Sequence, residues 1–212
     1  MSGGCYRGAR GRASVVVMDH VTFRGATRAE LDALPEDVKG ELIDGVLYTQ
    51  PRPRALHRNI ELSVMDELRG PFQRRRNGPG GWWILAEPGI QIPRAPEFSP
   101  DAAGWRWAHL PALPAGNEPI RAIPDWVCEV LSPSNRNYDL KVKRRFYAEI
   151  GVEHLWYIDP EARTLAVSRL HEGHWLELGV YGDNDCVRAE PFDAVEIELG
   201  EWWSEHPPGG LT

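Results

Sequence analysis

The chain has 212 residues, of which 42% are hydrophobic and 26% charged, a balance that suits a compact globular domain and excludes a disordered polymer. A domain of this length buries about 70% of the surface its unfolded chain exposes, so it needs no disulfide or structural metal to fold. The formal net charge of −7 excludes a protein that coats nucleic acid indiscriminately, which needs a dominant positive field, but it leaves room for an enzyme with a local basic groove and carboxylates gathered around a metal.

Residues 1–24 are expected as a disordered basic tail, 25–204 as a single domain and 205–212 as a second tail. The apolar run Ala13 to Met18 is too short for a signal-peptide core, and Met18 is an expected alternative start. Thr27 to Leu34 reads as a short helix, with Thr27 as N-cap, Glu30 as its capping-box partner and Pro35 beyond its end. Glu41 to Gln50 reads as a hairpin about Asp44-Gly45. Leu56 to Leu68 reads as a helix whose buried stripe is His57, Ile60, Val64 and Leu68, stopped by Gly70-Pro71. Arg74 to Gly81 is a basic glycine-rich loop, and Trp82 to Ile92 a strand broken at Pro88-Gly89.

Ala95 to Pro119 should begin as a strand near Asp101 and continue as a long surface excursion. Asp125 to Leu131 is a strong strand, Tyr138 to Ile150 a helix ended by Gly151, and His154 to Ile158 a further strand. Arg163 to Leu170 and His174 to Tyr181 form a hairpin around Glu172-Gly173, and Val195 to Leu199 finishes the sheet. This order predicts a mixed α/β (α+β) domain built around one sheet. Cys5, Cys128 and Cys186 are odd in number and contain no CxxC pair, which excludes a disulfide framework or zinc ribbon and fits a reducing, cytoplasmic setting. No apolar run approaches the roughly 18 residues of a membrane span.

Alternation along Asp125 to Leu131 puts Asp125, Val127, Glu129 and Leu131 on one face. Glu129 therefore lies inside an apolar strand, where an unanswered carboxylate costs several kcal/mol. It is either protonated or matched by a cation, a metal ion or a neighbouring arginine. At 100° per residue, Lys143 points with Leu140, Phe146, Tyr147 and Ile150, while Lys141, Arg145 and Glu149 point to water. A lysine turned inward needs a partner, and the strand bearing Glu129 is the adjacent source of one. Asp101, in Ser-Pro-Asp-Ala-Ala, precedes Glu129 by 28 residues; two carboxylates on neighbouring strands are what a hard divalent cation such as Mg²⁺ or Mn²⁺ takes.

His57 on its buried stripe and Glu41 before the Asp-Gly turn are second-tier candidates. The ordinary readings are a core histidine and an exposed hairpin carboxylate. Asp125 is read either as a site neighbour or as a backbone cap. His171 and His174 flank a turn without a clear third ligand. Arg74 to Arg76 could meet phosphates or be a solvated loop, and Trp105 and Trp107 could stack on a base or seal an interface.

Three blocks, Gly40 to Tyr48 (GELIDGVLY), Pro124 to Ser134 (PDWVCEVLSPS) and Asp139 to Pro160 (DLKVKRRFYAEIGVEHLWYIDP), resemble the Uma-type restriction-endonuclease-like family within the PD-(D/E)XK superfamily, across roughly Thr27 to Trp203. The resemblance implies a restriction-endonuclease-like mixed β-sheet flanked by helices, a divalent metal held by Asp101 and Glu129, and phosphodiester hydrolysis with Lys143, Glu41 and His57 in the active site. Leu131 stands where the superfamily's lysine usually follows the second acid, and the resemblance assigns that lysine's role to Lys143. Gly40 stands where the family commonly has an aromatic residue, a departure expected to affect packing. The expected activity is Mg²⁺-dependent DNA endonuclease, with nucleic acid as partner and a homodimer suited to two-strand cutting. The competing readings are a catalytically inactive binding module on the same fold and a hydrolase of RNA or another phosphoester.

Overall fold

The computed structural model describes residues 22–51, 55–116 and 118–203. The chain runs β1 (Thr22–Arg24), α1 (Arg28–Asp32), β2 (Val38–Ile43), β3 (Val46–Pro51), α2 (Ala55–Leu68), β4 (Trp82–Ala86), β5 (Ile90–Ile92), β6 (Ala95–Phe98), β7 (Ala102–Arg106), β8 (Trp126–Val130), α3 (Arg136–Tyr138), α4 (Arg144–Ile150), β9 (His154–Asp159), β10 (Thr164–His171), β11 (His174–Gly182), β12 (Cys186–Val187) and β13 (Ile197–Glu198). Met18 and the C-terminal tail lie outside the described residues, whereas the stretch expected as N-terminal tail ends in β1, paired with β3.

Local chemistry accounts for the elements. The Thr27 amide donates to Glu30 Oε2 at 2.7 Å, which starts α1 as the capping box predicts. Asp44 (φ 49°) and Gly45 (φ 71°) supply the two left-handed residues of a tight β2–β3 turn. The rod that carries Lys143 ends at Gly151, whose left-handed φ of 85° turns the chain so that the Val152 amide donates back to the Tyr147 carbonyl at 3.0 Å.

A six-stranded sheet, in the order β11-β10-β9-β8-β7-β4, forms the middle layer. Only β8 and β9 run parallel in it, because the α3–α4 rod carries the chain back between them. Alternation along β8 divides the core as the sequence predicts. Trp126, Cys128 and Val130 face α2 and the C-terminal residues Phe192, Leu199 and Trp202. Val127 and Leu131 face Tyr138, Phe146 and Tyr147 of the rod. Each fully buried side chain of this kind contributes about 1.5–3 kcal/mol.

The structure departs from the sequence reading in three places. Instead of one sheet, the described residues form two large ones, the second ordered β1-β3-β2-β6-β5. The last strand, β13, joins β12 in a separate two-stranded ribbon rather than finishing the main sheet, since its apolar Ile197 is spent on the α2 side of the core. Gly70-Pro71 does not stop the second helix, which continues through a wide π-turn, Arg69–Gln73; the Arg74 amide reaches the Arg69 carbonyl at 3.0 Å. A second π-turn, Asp139–Lys143, joins α3 to α4, and such turns recur at functional sites.

Candidate active site

Lys143 is 1% exposed, so the inward phase read from the helix holds. Its ammonium lies 3.0 Å from both Glu129 carboxylate oxygens, 3.3 Å from Glu41 Oε2 and 3.5 Å from Asp139 Oδ1. The Tyr147 hydroxyl donates to Glu129 as well. Glu41 uses its other oxygen to accept the Ser99 amide at 2.8 Å, so β2 clamps the β6–β7 junction that carries Asp101.

Asp101 enters from the start of β7. The β7–β8 register sets Ala102 opposite Cys128, and one further step along it brings Asp101 beside Glu129. Asp101 Oδ2 accepts the Val130 amide at 2.8 Å and lies 3.2 Å from His57 Nε2. His57 Nε2 is 2.9 Å from Glu61 Oε1, one turn along α2. Although these atoms are close, His57 Nε2 and Glu61 Oε1 make no hydrogen bond of acceptable geometry. The ligand atoms of His57, Glu61 and Asp101 all lie within 4.8 Å of one another, the arrangement expected of groups aimed at a common point.

The outer edge of the cluster is held by two further cations. Lys39 lies 3.4 Å from Asp101 Oδ1 and 3.4 Å from Glu87 Oε1. Arg58 bridges Glu61 and Glu87 at 2.7 Å each. The ion pairs form two adjoining networks, Glu61, Glu87 and Asp101 against Lys39, His57 and Arg58, and Glu41, Glu129 and Asp139 against Lys143, brought together where the β7–β8 register sets Asp101 beside Glu129.

Burial and charge pull the carboxyls apart. Burial pushes the Glu129 carboxyl up to about 7 against the opposing pull of Lys143, with Asp101 and Glu41 adding to the rise. Burial likewise drives Asp139 upward. Asp101 goes the other way: burial opposes ionisation, but Lys39, His57 and Lys143 overcome it and hold this carboxyl below the usual range. Burial alone would lower His57, yet the Asp101 and Glu61 carboxylates raise it to about 9. The buried carboxyls outnumber the cations that answer them, and at the point of convergence His57 Nε2 and Glu61 Oε1 have no hydrogen-bond partner; this fits a divalent cation, which would offset charge that protonation otherwise removes.

All five residues expected from the sequence, Asp101, Glu129, Lys143, Glu41 and His57, fall in this one cluster. Glu129 is not among the three convergent ligand atoms, because Lys143 and Tyr147 occupy its oxygens. Sequence reading missed Glu61, Asp139 and Lys39. The signals were present: Glu61 follows His57 by four residues, Asp139 precedes Lys143 by four, and Lys39 shares the strand face of Glu41.

The remaining candidates lie elsewhere. Asp125, at the opposite end of β8, accepts the Arg106 amide at 2.7 Å and is a backbone cap. Trp105 is fully buried with its indole N–H on the Ala122 carbonyl, so it cannot stack on a base. Trp107 carries the Arg75 guanidinium 5.0 Å over its ring. His171 and His174 face each other across the β10–β11 end without a third ligand among the described residues.

A helix–strand–strand–strand–helix–strand core with two acids at adjoining strand ends and a helix lysine defines a restriction-endonuclease-like α+β protein. The fold is similar to a crystal structure from Anabaena variabilis ATCC 29413 titled a "putative nuclease belonging to DUF820", with a TM-score of 0.65, 21% identity, and 82% of this chain and 96% of that chain covered. The model of the Uma2 family, described as "Putative restriction endonuclease", matches residues 28–200, and the chain belongs to that family. No curated protein sequence matches the chain. Among the described residues, no helix is long and apolar enough to cross a membrane.

Proposed function

We propose that the protein is a metal-dependent endonuclease that hydrolyses phosphodiester bonds in DNA. The observation that carries this reading is the buried cluster in which Asp101, His57 and Glu61 converge beside the Glu129–Lys143 pair. Family membership supports a nuclease-like activity. Asp101, with His57 and Glu61, and with Glu129 across the strand register, would hold a Mg²⁺ or Mn²⁺ ion. Such an ion supplies Lewis acidity at a phosphate and lowers the pKa of water.

The chain's own residues do the rest. Lys143, anchored by Glu41 and Asp139, keeps Glu129 in place and offsets its charge. Tyr147 fixes the other side of that carboxyl. In the reaction a water oxygen bonds to phosphorus and the bond from phosphorus to the leaving sugar oxygen breaks. One water proton ends on the leaving oxygen and the other stays with the new phosphate.

The test is cleavage of plasmid DNA with Mg²⁺ or Mn²⁺ by wild type and by Glu129→Ala, purified in parallel. Cleavage confined to wild type is expected; equal traces in both would mean contamination. An RNA substrate run alongside separates the two nucleic acids, and calorimetric titration with Mn²⁺ separates an enzyme from an inactive module that binds no metal.

A further inference from the structure

We propose that Lys39, rather than Lys143, is the lysine that meets the substrate phosphate, an assignment that rests on the nuclease reading above. The two ammoniums differ in what they have left to give. An ammonium has three N–H donors. Those of Lys143 face both Glu129 oxygens, Glu41 and Asp139, and its side chain is 1% exposed. A cation that draws Glu129 away still leaves Glu41 and Asp139 on Lys143, so it stays where it is and acts as a positioning residue.

Lys39 is placed differently. Its side chain is 11% exposed, and among the described residues it has two carboxylate neighbours, Asp101 and Glu87, each at 3.4 Å. Both contacts are long for a charge-assisted hydrogen bond. Glu87 does not depend on it, because Arg58 grips the other Glu87 oxygen at 2.7 Å. A divalent ion on Asp101 would repel the neighbouring ammonium and compete for its carboxylate partner. Lys39 would then turn to the nearest new anion, the phosphodiester oxygens brought to that ion. Strand β2 holds it in place for this: Lys39 and Glu41 lie two residues apart on one face, and Glu41 is tied to Ser99 and Lys143. The position thus supplies a charge beside the scissile phosphate, the role in which preorganised cations act most strongly.

The experiment compares wild type, Lys39→Ala, Lys39→Gln and Lys39→Arg. Steady-state cleavage of a duplex gives kcat and KM, calorimetry gives Mn²⁺ affinity, and thermal melts report folding. For both neutral variants kcat should fall roughly 100-fold, with Mn²⁺ affinity equal to or tighter than wild type, and Lys39→Arg should recover part of the loss. Wild-type kcat in Lys39→Ala and Lys39→Gln would overturn the assignment. So would a kcat loss that tracks weakened Mn²⁺ binding and a lowered melting temperature, because that is a merely structural lysine. An active wild type with unaffected variants sinks only the role of Lys39. A wild type that neither binds Mn²⁺ nor cuts any substrate sinks the nuclease reading and this assignment with it.

Discussion

Replacing Lys143 with methionine keeps most of the side-chain volume and deletes the charge that Glu129, Glu41 and Asp139 share. Removing one partner of a buried ion pair costs about 3–5 kcal/mol, since the other charge is left unanswered. In a chain of this size that is a fall of about 6–20 °C in melting temperature. The loss must depend on pH. In wild type the folded Glu129 carboxyl is raised from 4.5 to about 7, so the native state binds more protons than the unfolded state in that window and stability falls as pH rises through it. Without Lys143 the carboxyl moves higher still and the window extends upward. Melts in EDTA should therefore show a large gap between Lys143→Met and wild type at pH 8 and a smaller one at pH 5. Differential scanning calorimetry measures both. A variant that melts within about 2 °C of wild type at pH 8, or a gap that does not shrink in acid, would refute the view that this lysine neutralises the cluster.

Three other outcomes follow from the same geometry. Glu129→Gln should lower metal-dependent cleavage by about 10²–10³-fold while retaining the fold, read from initial rates and circular dichroism. For His57 the folded value is raised from 6.5 to about 9, so its contribution to metal-free stability is complete below pH 6.5 and lost as pH rises through 9; urea melts in EDTA at pH 7.5 and 9.5 should converge in His57→Gln, and Mn²⁺ affinity of wild type should rise across that interval as the ion displaces the proton. Asp125→Asn should cost about 1–3 kcal/mol through its weakened hold on the Arg106 amide and partners, with kcat unchanged, because it lies at the far end of β8.

What the sequence could reveal was whatever has a local period. Glu129 and its apolar strand neighbours follow alternation, and β8 splits its side chains between two core faces as that alternation requires. Lys143 followed from helical phase, which survives the π-turn at Asp139–Lys143 because the turn ends at this residue. Asp101 had no such warrant from its surroundings and rested on resemblance; only the β7–β8 register supplies its physical reason. The separate β2–β3 sheet was not legible, since strand patterns state which side chains share a face but not which sheet a strand joins. For that reason the hairpin pattern alone makes Glu41 an exposed acid, whereas tertiary pairing buries it to 1% exposure. Lys39 and Glu61 carried a local signal, a shared strand face with Glu41 and an i,i+4 spacing from His57, but that signal gains its meaning only once distant strands and helices bring their partners together.

Asp101 and Glu129 sit at neighbouring strand ends yet are driven in opposite directions, and the difference has a chemical consequence. Asp101 faces Lys39 and His57 and accepts a backbone amide, so it is a carboxylate throughout the physiological range. Glu129 faces one lysine that it shares with two other acids, and burial holds its value near 7. At neutral pH one member of the pair is a ready ligand while the other still exchanges a proton. A divalent ion that enters beside Asp101 adds positive charge within reach of Glu129 and lowers its carboxyl. On the proposed reading, cation entry and proton departure would then be a single linked equilibrium, in which Asp101 would recruit the ion and Glu129 would become available only as the ion arrives.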